Sequence, residues 1–113
     1  MNYVQRLQME IQTIDLPQEQ LKIYLEENGI TDAFKPYNPS SNTDKRAIYK
    51  TALSVLESIA NDPKLMKDYK QEDISISGFS DSLQARIDQL EKKIRTMPLD
   101  ESSDSSFFML FNN

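Results

Sequence analysis

Residues 41–63, SNTDKRAIYKTALSVLESIANDP, hold the reading on which the fold turns. Ser41 and Asp44 have the spacing of a capping box, with Asp in place of the usual Glu, and strong helix formers follow as far as Asn61. Pro63 sets the far limit, because the residue before a proline is pushed out of the helical region. Within the helix, Ala47, Ile48, Tyr49, Thr51, Ala52, Leu53, Val55, Leu56, Ile59 and Ala60 spread around most of the wheel. Lys50, Ser54, Glu57 and Asn61 are left as one narrow polar stripe. A helix apolar over so wide an arc needs cover on two sides. It is therefore either the central helix of its own domain or a helix held between its own core and a neighbouring subunit.

Towards the N-terminus, Val4, Leu7, Ile11 and Ile14 step by three, four and three and predict a short helix over residues 3–15. Pro17 stops it and can open the next, in which Leu21, Tyr24 and Leu25 share a face and Gly29 follows as a C-terminal cap. Residues 30–40, with Pro36, Tyr37, Asn38, Pro39 and Ser40, read as a linker or surface loop.

Towards the C-terminus, residues 64–72 mix Lys64, Lys67 and Lys70 with Leu65, Met66 and Tyr69 and predict a helical turn with an exposed basic edge. From Asp73 to Phe79, alternating Ile and Ser predict a short half-buried strand, which needs a pairing partner. Ser80, Asp81 and Ser82 offer overlapping N-caps for a last helix whose seam is Leu83, Ile87, Leu90, Ile94 and Met97. Asp88 with Lys92 and Glu91 with Arg95 are spaced as helix-supporting ion pairs. The expected fold class is mainly α. It is a small helical bundle with one long central helix, a short strand between the last two helices and an extended C-terminal tail. The expected organisation is a domain over 1–98, with a helical pair and loop in 1–40 and core helices in 41–98, followed by an acidic linker and aromatic tail in 99–113. Tyr49, Leu53 and Leu56 on the long helix, and Ile74 and Ile76 on the strand, are the candidates for core or subunit contacts. Phe107, Phe108, Met109, Leu110 and Phe111 put three of the five Phe residues into one run. That run either folds back on its own domain or anchors the chain on a partner.

The 113 residues contain no His and no Cys. That excludes a cysteine nucleophile, a Ser-His-Asp relay, disulfides and Cys/His zinc sites. Two glycines, Gly29 and Gly78, cannot build a phosphate loop, and the carboxylates do not cluster with calcium-loop spacing. No cofactor and no catalytic activity are expected. The net charge of −5 disfavours a protein that grips DNA by itself, since phosphate binding needs a basic face. No run approaches the roughly 20 apolar residues of a membrane span, so a soluble product made in the cytoplasm, with no membrane partner, is expected.

Residues 45–96 carry a resemblance. The run KRAIYKTALSVLESIANDP, the Lys-rich turn and DISISGFSDSLQARIDQLEKKI resemble the small head–tail connector proteins of tailed bacteriophages, also called head-completion or adaptor proteins. The match covers about half of the chain and rests on hydrophobic pattern and element order; the Phe-rich tail has no counterpart in it. The resemblance implies a virion structural subunit at the head–tail junction. Many copies would form a ring under the portal protein, extend the channel through which double-stranded DNA passes, and offer a platform to the next adaptor or tail-completion protein. In that setting the tail, residues 107–111, would dock on the portal or a neighbouring subunit. The alternative from the residues alone is a non-catalytic helical module that binds a single protein partner through its last helix and tail.

Overall fold

The computed structural model describes residues 1–12, 14–69 and 75–98. Among them the chain forms helices α1 (Tyr3–Glu10), α2 (Gln18–Glu27), α3 (Asn42–Ala60), α4 (Pro63–Tyr69) and α5 (Ile76–Thr96). The mainly helical class expected from the sequence is the one observed.

α3 is the central helix. Ser41 Oγ accepts from the Asp44 N–H as its N-cap, and Asn61 ends it. Ile48, Thr51, Ala52, Val55, Leu56 and Ile59 are buried around it, and α1, α2, α4 and α5 all pack against it. The wide apolar arc is thus covered by the chain's own helices. Thr51 is the buried polar residue of the core, and its hydroxyl is satisfied by donating to the Ala47 carbonyl at 2.7 Å.

Each flanking helix is ended by local chemistry. Asn2 and Gln5 close a reciprocal capping box at the start of α1. The helix stops at Glu10, short of the expected residue 15; Ile14 still reaches the core through a turn in which the Gln8 amide donates to the Ile14 carbonyl. α2 follows Pro17 and ends at Gly29, whose φ of +93° lies where an L side chain is strained. There Ile30 N–H bonds the Leu25 carbonyl and Gly29 N–H the Glu26 carbonyl, the paired closure of a Schellman cap. α4 takes its cap from Asp62 Oδ1, which accepts from Lys64 and Leu65 N–H.

The loop after α2 is a strap rather than a free linker. Tyr3 and Val4 at the start of α1 donate their otherwise orphaned N–H groups to the carbonyls of Lys35 and Ala33, and Tyr37 N–H donates to Met1. Asp44 ties the same corner to α3: one of its oxygens accepts from the Tyr3 hydroxyl at 2.9 Å and from Asn38 N–H at 3.0 Å. Tyr37 meets the Tyr3 ring edge to face, with centroids 6.0 Å apart.

The strand expected over 73–79 is not formed in its described part. Ser75 is instead the N-cap of α5, its Oγ accepting from Gly78 N–H at 2.9 Å, and Ile76 to Phe79 are the first helical turn. The Ile/Ser alternation fits a strand only while a partner exists, and among the described residues no strand lies beside it. In the helix, the Ser75 cap takes up first-turn donors, its Oγ accepting from Gly78 N–H and its carbonyl from Phe79 N–H, and the carbonyls of the turn bond within the helix. Phe79 also extends the Leu83–Ile87–Leu90 seam back by one turn at spacing four, so the helical period competes with the two-residue period and wins. The N-caps expected at Ser80, Asp81 and Ser82 accordingly lie inside the helix. The expected ion pairs Asp88–Lys92 and Glu91–Arg95 are absent among the described residues; Asp88 accepts from the Gln84 amide instead. The seam holds over Leu83, Ile87 and Leu90, which are buried, while Ile94 and Met97 at its end are only half-buried.

Two outcomes follow from this packing. Val55 has no exposed surface, so Val55→Asp buries an unpaired charge at a cost of several kcal/mol; circular dichroism melting is expected to show loss of the cooperative transition, and a wild-type melt would contradict the central place of α3. The Tyr3 phenol is held above its ordinary value of 10.0, first by burial and then by the hydrogen bond to Asp44 and the charge of that carboxylate. A group raised in the folded state stabilises fully below its unfolded value and loses that contribution as pH rises through the folded one. Tyr3→Phe is therefore expected to cost about 1 kcal/mol at neutral pH. The gap between the two proteins in urea midpoints should narrow above about pH 10.

Candidate functional site

Two concave surfaces lie along the contact between α3 and α5, one at each end. The larger is a cleft of about 430 Å³ lined by the end of α1 and the following turn (Met9, Glu10, Ile11, Gln12, Ile14), by Leu56 of α3, and by Phe79, Ser82, Leu83 and Arg86 of α5. It exists because α1 and α5 both pack on α3 and not on each other. Leu56 is left as floor between them, while Met9 on the lip is 47% exposed.

What joins the two walls is an ion-paired cluster. Glu10 is only 11% exposed at its side chain and uses each carboxylate oxygen for a different arginine: Oε1 for Arg6 at 3.0 Å, Oε2 for Arg86. Arg6 also lies over the Tyr37 ring, 5.6 Å from its centroid, which connects the cluster to the strap. A carboxylate engaged on both oxygens in this way is a clamp between helices. Among the described residues no group of three or more acidic, His or Cys side chains is arranged to hold a metal. No helix among them is long and apolar enough to cross a membrane.

The smaller surface, about 380 Å³, lies at the other end of α5 and is lined by Asn42, Lys45, Tyr49, Lys93, Thr96, Met97 and Pro98. Lys93 Nζ sits 5.1 Å from the Tyr49 ring centroid. Tyr49 is half-buried there, so its ring faces α5 across the helix contact.

The candidate residues from the sequence are thus separated. Tyr49 and Leu56 mark the two ends of the α3–α5 contact, Leu53 lies half-buried between them on α3, and Leu56 alone enters the larger cleft. Ile76 opens α5 and is 44% exposed, so it contacts neither a sheet nor the core. Ile74 and the run Phe107 to Phe111 lie outside the described residues. Reading the sequence missed the Glu10 clamp and the Asp44 corner. Arg6 and Glu10 at i,i+4 were visible as a pair, but Arg86 is 76 residues away along the chain, and no local spacing announces it.

No family model, no curated protein and no solved structure matches the chain.

Glu10→Ala removes the one acceptor that two arginines share. The loss is expected to be roughly 3 kcal/mol, because Arg6 is left largely buried and unpaired. Arg86→Ala, at a residue 32% exposed at its side chain, is expected to cost about 1 kcal/mol. Guanidinium midpoints at unchanged slope measure both; equal losses would show that the clamp does not centre on Glu10.

Proposed function

We propose that this chain is a structural subunit of the head–tail connector of a tailed phage or prophage. It would form a ring under the portal, at the virion's head–tail junction, and provide a platform for the next adaptor. The observation that supports this reading best is where the resembling segment falls. Residues 45–96 are the framework of the fold: they contain nearly all of α3, the whole of α4 and α5, and the helix that every other helix packs against. A ring subunit needs a rigid helical frame with different contact surfaces on its flanks, since the heterologous contact that repeats around a ring joins two different faces. The acidic balance suits a channel that lets duplex DNA pass without gripping it.

Two parts of the expectation change with the structure. The breadth of the apolar arc on α3 is covered by its own chain and calls for no neighbour. The strand that could have joined an intersubunit sheet is the first turn of α5, so no strand addition through residues 75–79 enters the proposal. Assembly then rests on the helical surfaces and on residues 107–111.

Deleting residues 99–113 is expected to leave a folded helical protein that no longer joins portal-containing assemblies. Light scattering of the full chain with and without a phage portal, beside electron micrographs for rings, checks this. A full chain that stays monomeric with the portal, or a truncated chain that assembles normally, sinks the reading. A one-to-one complex with some other single protein would instead establish the interaction-module alternative.

A further inference from the structure

We propose that the cleft between α1 and α5 is the docking site of the chain's own aromatic segment, residues 107–111, in the unassembled protein.

The cleft offers the surface such a segment needs. Its floor carries the edges of Ile11, Ile14, Leu56 and Leu83, which are otherwise buried, its walls add Phe79 beside the polar Glu10, Gln12, Ser82 and Arg86, and Met9 stands exposed on the lip. A thioether at the edge of a pocket adapts readily to aromatic rings. At about 430 Å³ the space falls within the range of pockets that enclose a ligand.

Reach and direction agree. The described chain ends at Pro98, just past α5, and eight residues, 99–106, separate it from Phe107. Extended, those eight cover at most about 26–29 Å. Running back along α5 from Met97 to the cleft positions Arg86 through Phe79 takes roughly 16–27 Å at the helical rise. The segment therefore arrives in the cleft of its own chain with no slack to wander far beyond it.

The charges on the way also fit. The linker carries Asp100, Glu101 and Asp104 and no cation. The stretch of α5 that it would pass, from Arg86 to Arg95, carries Arg86, Lys92, Lys93 and Arg95 against Asp88 and Glu91. Lys45 and Lys93 line the recess that already holds Pro98. Acidic residues leaving Pro98 thus meet cations first. A tether this short gives its own cleft an effective concentration on the millimolar scale, above that of any second copy in dilute solution.

The inference stands apart from the ring reading, because a chain that never assembles would close the same contact. The absence of cysteine makes the test direct. In the full chain, Met9→Cys with Met109→Cys places one thiol on the exposed lip and one in the aromatic run. Ile23→Cys with Met109→Cys is the control, since Ile23 is 53% exposed on α2 and lines no part of the cleft. Under mild oxidation at low micromolar concentration the cleft pair is expected to close an intrachain disulfide about tenfold faster than the control. Adding Phe107→Ser, Phe108→Ser and Phe111→Ser to the cleft pair should bring its rate down to the control's. Equal rates for the two pairs, or a disulfide formed only between chains, would overturn the proposal.

Discussion

The rest of the structure depends on α3 being apolar around most of its circumference. A helix with one apolar stripe can be satisfied by one neighbour. Here Ile48, Thr51, Ala52, Val55, Leu56 and Ile59 point in enough directions that four helices must gather to exclude water from them. The gain comes from burying aliphatic surface, which is non-directional, so it collects the helices without orienting them. Orientation is supplied by polar contacts at the edges of the bundle. The Glu10 cluster sets α1 against α5, Asp44 sets the strap and α1 against the start of α3, and the Asn28 amide, bonded to the Tyr24 carbonyl and to Ser54 Oγ, sets α2 against α3.

That division of labour explains the cleft. α1 has eight residues and is too short to run the length of α5, so its end and the turn to Ile14 face α5 across a gap floored by Leu56. The Arg86 side chain bridges the gap where backbone packing does not. A clamp between charged groups leaves room for side chains that a packed helix interface would not, and the cleft over Leu56 lies beside the Glu10 pairs. The Glu10 carboxylate meets an arginine on each oxygen, and the cleft it braces mixes apolar side chains with Gln12, Ser82 and Arg86.

The strand over residues 73–79 shows where local pattern misleads. Ile76 falls on the two-residue period set by Ile74, Phe79 falls on the helical period with Leu83, and Ser75 is as good an N-cap as it is a polar strand position. Only the surroundings separate the two, because a strand's hydrogen bonds must be made by something else in the fold and a helix makes its own. Ile14 is the converse case. Its periodicity correctly put it in the core, yet it arrives there through a turn stabilised by Gln8, a contact that the apolar spacing does not encode. The residues expected to share a contact surface were legible as apolar, but Tyr49 and Leu56 turned out to serve opposite ends of α5.

By itself the amino-acid sequence determined the helical class, the start and stop of α3, the Gly29 stop of α2, the Leu83–Ile87–Leu90 seam, and the absence of any thiol or imidazole chemistry. Each of these rests on interactions within a few residues or on residue identity alone: caps, proline, a positive φ, and the period of the helix. Tertiary structure alone decided that α3 is enclosed by its own chain, that residues 76–79 are helical, and that Glu10 meets Arg86 to brace a cleft over Leu56. Those outcomes depend on groups brought together from far along the chain, where burial and the need to pair every polar group outweigh local preference.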